Sequence, residues 1–94
     1  MNIDMKKYEG VFKSLSDITR LNILKQLSKQ DSMCVCSLVE HFDIPQSKLS
    51  YHLKMLLDSN LITMERCGKW NHYSINKEEL EKYLSKDVMS AIVK

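Results

Sequence analysis

Apolar residues recur every three or four positions along most of this chain, which is the spacing typical of amphipathic helices. The pattern predicts five helices, at about 4–14, 18–28, 35–42, 46–59 and 77–93. The fourth carries the most regular apolar stripe, formed by Leu49, Leu53, Leu56 and Leu57. Pro45 directly precedes it, in keeping with the preference of proline for the start of a helix. We therefore expect one face of the fourth helix to pack into the core.

Between the last two helices the pattern changes to two runs rich in β-branched and aromatic residues. Residues 61–67 and 70–75 predict two strands, and the Gly-Lys pair between them predicts a tight turn. The fold class is thus mainly α with a small β-hairpin. Two helices joined by a short turn, about 35–59, indicate a helix-turn-helix, and the hairpin at about 61–75 indicates a wing. Another small α+β domain is the alternative on pattern alone.

Length and composition narrow the class of protein. A chain of 94 residues, 44% hydrophobic and 28% charged, suits one domain over residues 1–94. Such a chain buries only about 60–65% of its unfolded surface, which favours pairing with a second copy. We find no apolar run of about 20 residues and no apolar signal core at the N-terminus, so we expect a cytoplasmic protein without a membrane partner. Gly-rich phosphate loops and nucleophile elbows are also lacking, which argues against an enzyme.

The net charge of +2 comes entirely from the middle third of the chain. That stretch carries Lys48, Lys54, Arg66 and Lys69 against Asp58 and Glu65. The face of helix 46–59 opposite its leucines carries Ser47, Tyr51 and Lys54, with Ser50 on the flank. Small polar, aromatic and basic side chains on one face suit hydrogen bonds to base edges and phosphates. The sequence therefore predicts a DNA-binding surface. A winged helix that binds only protein is the alternative, and it would present a charged or hydrophobic face here.

Four stretches form a recognisable series along the chain. They are LSDITRLNIL at residues 15–24, MCVCSL at 33–38, QSKLSYHLKML at 46–56 and GKWNHY at 68–73. In this order they resemble the ArsR/SmtB family of small dimeric winged-helix repressors. The resemblance implies a homodimer joined through the helices at about 4–14 and 77–93. It also implies an imperfectly palindromic double-stranded DNA operator, with half-sites about 34–36 Å apart.

The resemblance further implies which side chains contact DNA. Base and backbone contacts map onto Gln46, Ser47, Ser50 and Tyr51, and wing contacts map onto Arg66 and Lys69. Together with Lys48 and Lys54 from the basic stretch, these are the candidate DNA-binding residues. The family often has His at the position of Tyr51, so base preference can differ there. His52, at the edge of the leucine stripe, is interpreted as structural in preference to DNA-contacting.

Cys34 and Cys36 are the candidate metal ligands. Soft thiolates select soft ions such as As(III), Sb(III) and Cd(II), so such an ion is the expected inducer, with no constitutive cofactor. Residues two apart in mid-helix point about 200° away from each other. The two sulfurs converge only if Cys34 lies at the start of the helix and Cys36 in its first turn. A helix N-terminus also lowers the pKa of a thiol, which favours metal binding and oxidation alike.

The resemblance implies that an ion at this Cys-Val-Cys motif releases DNA, yet three interpretations stay open. Arsenite-responsive members usually add a third Cys where this chain has Val39. The pair can therefore bind As(III) or an organoarsenical, with Cys67 or a non-protein ligand completing the shell. It can instead form a redox switch, or it can be packed without sensing anything. Residues 77–94 lack His, so the family's other metal site is absent, and the scattered His41 and His72 predict no borderline-metal site.

Overall fold

Four helices precede a β-hairpin and two short helices follow it in the computed structural model, which describes residues 4–93. The helices are α1 (Met5–Leu15), α2 (Ile18–Leu27), α3 (Val35–Phe42), α4 (Gln46–Asp58), α5 (Lys77–Glu81) and α6 (Lys86–Ile92). The strands are β1 (Met33–Cys34), β2 (Ile62–Cys67) and β3 (Trp70–Ile75), antiparallel in the order β1-β3-β2. The mainly helical fold with a hairpin is the one predicted. One domain over 1–94 stays a prediction, because residues 1–3 and 94 lie outside the described part.

Asp43 and Pro45 determine the turn between α3 and α4. Asp43 ends α3 in the left-handed region, at φ 52°, and its N–H donates to the carbonyl of Val39. A left-handed residue is a common helix stop because it turns the chain away from the helix axis. Pro45 follows at the N-cap of α4 and has no N–H to continue α3. The result is the tight helix-turn-helix connection that the sequence predicts.

The core lies where α4 meets the other helices and the sheet. Its most deeply buried apolar side chains are Val11, Ile23, Leu24, Leu27, Leu38, Leu49, Leu53, Leu56, Leu61, Ile62 and Leu80. Three of the four leucines of the predicted stripe are in this set, and Leu57 packs partly buried against it. Ser14 adds a polar link between α1 and α4, since its Oγ lies 3.0 Å from the Met55 carbonyl oxygen and 2.7 Å from Ser59 Oγ. No helix within residues 4–93 is long and apolar enough to cross a membrane.

The prediction of one helix over 77–93 is wrong. The chain leaves α5 in a tighter turn, where the N–H of Tyr83 donates to the Leu80 carbonyl at 3.0 Å. Ser85 then caps a new helix by accepting the N–H of Val88 at 3.3 Å. Val88 is exposed and Leu80 is buried, so the predicted four-residue stripe does not lie on one continuous face.

The sheet has one strand more than the two predicted. Met33 pairs with Tyr73 and Cys34 pairs with His72, which adds β1 to the edge of the hairpin. Two residues are too few to show the period-2 alternation that identifies a strand in sequence. The extra strand matters because it attaches the start of α3 to the wing.

We expect Leu56→Ala to lower the free energy of unfolding by about 2–5 kcal/mol, because the side chain is fully buried and its loss leaves a cavity. Urea unfolding followed by circular dichroism measures the change. Ile18→Ala is the matched control, since Ile18 is 71% exposed, and it should change stability by about 0.5 kcal/mol or less. Equal losses in the two variants would contradict this core.

Candidate functional site

The outer face of α4 presents a row of exposed polar side chains. They are Gln46, Ser47, Lys48, Ser50, Tyr51 and Lys54. Ser47, Tyr51 and Lys54 lie opposite the buried leucines and Lys48 and Ser50 lie on the flanks, as the amphipathic pattern of α4 requires. Gln46 is exposed because it is the first residue of the helix. Lys54 lies 3.4 Å from Asp58 across one exposed helical turn, a contact that contributes little and leaves the ammonium available to another anion.

The two wing candidates lie at the tip of the hairpin. Arg66 and Lys69 are both exposed, and Arg66 Nε donates to the Gly68 carbonyl at 3.2 Å. Gly68 has φ 63°, the left-handed conformation that glycine adopts without steric cost. The turn thus places two cations within four residues of each other, on a different element from the α4 face.

A buried guanidinium holds α4 against α1. Arg20 is 7% exposed, and its Nε and Nη2 donate to the carbonyls of Ser14 and Lys13 at 2.7 and 3.0 Å. These carbonyls belong to the last turn of α1, where a cation also meets the negative end of the helix dipole. Nη1 of the same group lies 3.0 Å from Nδ1 of His52, which is 8% exposed. One side chain on α2 therefore joins α1 to α4.

The contact with Arg20 determines the protonation state and the tautomer of His52. A guanidinium has only N–H donors, so Nδ1 of His52 must accept and the ring is neutral, with its proton on Nε2. Burial lowers the pKa of His52; the charge of Asp17 works against this shift, and those of Arg20 and Lys48 add to it. The sequence predicts a structural role for His52 but gives no signal for the buried Arg20, because arginine is seldom buried.

The cysteine pair lies at the start of α3. Cys34 is the N-cap residue and Cys36 is in the first turn, which is the arrangement that convergence requires, and their sulfurs are joined in a disulfide. Cys34 Sγ also accepts the N–H of Ser37 at 3.4 Å, so it caps the helix. Cys36 is exposed and Cys34 is half-buried. In this disulfide form, residues 4–93 contain no group of three or more His, Cys, Asp or Glu side chains arranged to hold a metal ion.

Cys67 is free and exposed, and it lies at the far end of β2 opposite Trp70. Strand β3 separates β2 from β1, so two interstrand spacings, about 10 Å, lie between Cys67 and Cys34 before their offset along the strands is added. The structure therefore does not bring Cys67 to the cysteine pair of its own chain.

Known proteins resemble this chain in sequence and in fold. Residues 17–64 match the family described as bacterial regulatory protein, arsR family. An arsenical resistance operon repressor of Bacillus subtilis is 50% identical over 84 residues, which cover 89% of this chain and 80% of that protein. An arsenical resistance operon repressor of Staphylococcus xylosus is 41% identical over 76 residues, which cover 81% of this chain and 72% of that protein. The solved structure of an ArsR-like transcriptional regulator from Rhodococcus sp. RHA1 superposes with a TM-score of 0.76 at 27% identity, covering 82% of this chain and 70% of the other.

We expect the protein to lose stability as the pH falls below about 6.5, the usual pKa of histidine. The pKa of His52 is lowered in the folded state, so the unfolded chain binds the proton more readily there. Above that pH the contribution of neutral His52 to the stability of the folded state is fully present. Urea unfolding between pH 5 and pH 8 measures the slope.

The variant His52→Gln keeps a neutral acceptor for Arg20 but cannot be protonated, so its acid-side slope should be smaller. His41→Gln, on an exposed position of α3, is the control and should behave like the wild type. Identical slopes for His52→Gln and the wild type would contradict the assigned role of His52.

Proposed function

Since this chain belongs to the arsR family of bacterial regulatory proteins, we propose that it is a transcriptional repressor that leaves its DNA operator when a thiophilic inducer binds Cys34 and Cys36. It is a DNA-binding transcriptional regulator and not an enzyme. The observation that carries the proposal is the place of the cysteine pair, at the first turn of the helix directly before α4. As a DNA-binding regulator of a bacterial family, it works in the cytoplasm.

DNA recognition is assigned to the outer face of α4 and to the tip of the wing. Ser47, Ser50, Tyr51 and Gln46 donate and accept hydrogen bonds at base edges in the major groove. Lys54 on this face and Lys48 at its edge reach phosphates, as do Arg66 and Lys69 from the wing. The support is that all eight side chains are exposed while the opposite face of α4 is buried.

A homodimer supplies the second recognition helix. On α1, Met5 is 69% and Phe12 is 53% exposed, and the ring centroids of Tyr8 and Phe12 lie 6.0 and 6.2 Å from that of Tyr83. Large apolar side chains grouped on the first helix and beside the last are covered when a second copy packs there. Twofold symmetry of the dimer then requires an imperfect palindrome in the operator.

Release of DNA follows from the short path between the two sites. Cys34 and Cys36 hold the first turn of α3, and only the turn from Asp43 to Pro45 separates α3 from α4. An inducer that draws the two sulfurs to itself moves this turn and with it the direction of α4. Cytoplasmic reductants keep the pair as thiols, and two thiolates suit As(III), Sb(III) or another soft ion. The repressors of Bacillus subtilis and Staphylococcus xylosus, both named for arsenical resistance, support an arsenical inducer.

A redox switch is the second candidate function, and the disulfide between Cys34 and Cys36 favours it. Here a peroxide accepts two electrons and two protons from the thiols and is reduced to water, and the disulfide that forms changes the start of α3. The same helix would then report oxidation in place of an arsenical.

We expect the double variant Ser47→Ala and Ser50→Ala to lose about 10-fold to 100-fold in affinity for the operator, because hydrogen bonds to base edges are lost. Fluorescence anisotropy with operator and scrambled DNA measures both affinities. Binding to scrambled DNA and its salt dependence should persist, since the basic side chains remain. Ser32→Ala, on the exposed turn before β1, is the control. Operator affinity retained in the double variant would contradict the recognition face.

We expect arsenite to release operator DNA from the reduced wild type but not from Cys34→Ser. Serine keeps the N-cap of α3 and removes one sulfur, so DNA binding without arsenite should be unchanged. Cys67→Ser is the matched control and should respond like the wild type. The same anisotropy assay measures release.

Release of Cys34→Ser by arsenite would place the sensor elsewhere. Release of the wild type by an oxidant, with no response to arsenite, would favour the redox switch.

A further inference from the structure

A row of three side chains crosses the sheet beside the cysteine pair. Strand β3 is central, and its His72 pairs with Cys34 of β1 on one side and with Glu65 of β2 on the other. Residues directly opposite each other in antiparallel strands point to the same face, with Cβ atoms about 4.5–5.5 Å apart. Cys34, His72 and Glu65 therefore project together from one face of the sheet.

This face is the one turned away from the core. Tyr73, the next residue of β3, is buried and pairs with the buried Met33. Because neighbouring residues of a strand point to opposite faces, His72 and Cys34 lie on the outer side. Both are half-buried there, which leaves them accessible to a small ion.

We propose that the imidazole of His72 is the third protein ligand of a divalent metal ion held by the thiolates of Cys34 and Cys36, with Glu65 as the hydrogen-bond acceptor that orients the ring. The inference rests on the proposed function, since it uses the same cysteine pair. It supplies the ligand that the sequence lacks at Val39 and that Cys67 is too distant to provide.

The register allows a bridge between β1 and β3 by an ion. Zinc-sized ions bind sulfur at about 2.3 Å and imidazole nitrogen at about 2.0–2.1 Å, so a tetrahedral site needs sulfur and nitrogen about 3.5 Å apart. Side chains with Cβ atoms about 5 Å apart reach that separation by rotation about Cα–Cβ. The backbone of the paired strands need not move.

Metal binding begins from the reduced pair. A cytoplasmic dithiol opens the disulfide by thiol–disulfide exchange and is itself oxidised to a disulfide, which leaves thiols on Cys34 and Cys36. Binding of a divalent ion to both sulfurs then releases their two protons to water. The charge of the ion is balanced by the two thiolates, and neutral His72 donates a lone pair.

The position of Glu65 matches a recurrent feature of metal-bound histidines. Such a histidine usually donates its other ring N–H to a carboxylate or a carbonyl, which fixes the tautomer and the direction of the ring. Glu65 lies on the side of His72 away from Cys34, where that second nitrogen can reach it. Cysteine, histidine and carboxylate thus follow one another in the order that this arrangement needs.

The donor set also determines which inducers require His72. Two sulfurs and one nitrogen suit Zn(II) and Cd(II). An arsenical with one organic substituent has only two open valences and is satisfied by the two thiolates. His72 should therefore matter for the divalent ion and not for the organoarsenical. A bound divalent ion would in addition join the start of α3 to β3, and so one DNA-binding element to the other.

The test measures the binding of Cd(II) and of phenylarsine oxide to reduced wild type and to His72→Ala. Cd(II) affinity is obtained by competition with a chelator. Ultraviolet thiolate-to-cadmium absorption counts the sulfurs, and fluorescence of Trp70 reports the wing, since this single tryptophan lies on the same face of β3 two residues from His72. We expect His72→Ala to weaken Cd(II) about 10-fold to 100-fold while phenylarsine oxide binds as in the wild type. Glu65→Gln should weaken Cd(II) less, and His41→Ala should change nothing.

Three results would overturn the inference. Unchanged Cd(II) affinity in His72→Ala would remove His72 from the site and leave the proposed function intact. Equal weakening of Cd(II) and phenylarsine oxide would mean that the substitution disturbs the cysteine pair itself. Failure of the wild type to bind either ligand would refute the cysteine site and, with it, both proposals.

Discussion

Burial of the leucine face of α4 is the constraint on which the rest of the structure depends. Leu49, Leu53 and Leu56 occupy the centre of the core, so the rotation of α4 about its own axis is fixed. The same packing turns Ser47 and Tyr51 to the outside. Hydrophobic burial is non-directional, however, and it does not set the tilt of the helix.

Directional contacts provide that second constraint. The guanidinium of Arg20 donates to two carbonyls at the end of α1 and meets Nδ1 of His52 on α4, while Ser14 Oγ lies within hydrogen-bond distance of Met55. Buried donors and acceptors are costly to leave unpaired, so these contacts resist any change in the angle between α1 and α4. In the dimer that we propose, formed through α1, these contacts link the spacing of the two α4 helices to the dimer interface. The cysteine pair, the proposed inducer site, lies at the start of α3, and the turn at Asp43 connects α3 to α4.

The sequence alone predicted those helices and turns whose signals lie within a few neighbouring residues. The leucine spacing predicted α4 to within one residue, and turn chemistry at Pro45 and Gly68 predicted where helix and hairpin change direction. The prediction from sequence was wrong or incomplete where the structure depends on contacts between residues far apart in the chain, or on a capping residue inside an apolar pattern. Apolar residues recur every four positions from Leu80 to Ile92, and no proline or glycine interrupts them, so the sequence predicts one helix. In the structure Ser85 instead caps a new helix there. Strand β1 has only two residues, and its partner Tyr73 lies 40 positions further along the chain.

The candidate site divides in the same way. The exposed face of α4 follows from periodicity, and the placement of Cys34 and Cys36 follows from the need for two residues, two apart, to converge. Arg20 gave no sequence signal, because a buried arginine cannot be told from an exposed one by spacing. His72 lies far from Cys34 in the sequence, and it becomes a neighbour of Cys34 only because β1 pairs with β3.

The central claim is that the cysteine pair and the DNA face are coupled, and linkage gives the most direct measurement of it. Arsenite affinity should be measured by titration calorimetry on reduced free protein and on protein saturated with operator DNA. Coupling free energies of this kind are about 1–3 kcal/mol, so the account predicts arsenite binding about 5-fold to 150-fold weaker on the operator complex. Operator affinity should fall by the same factor when arsenite is saturating. Equal arsenite affinity with and without operator would contradict the account, however tightly each ligand binds alone.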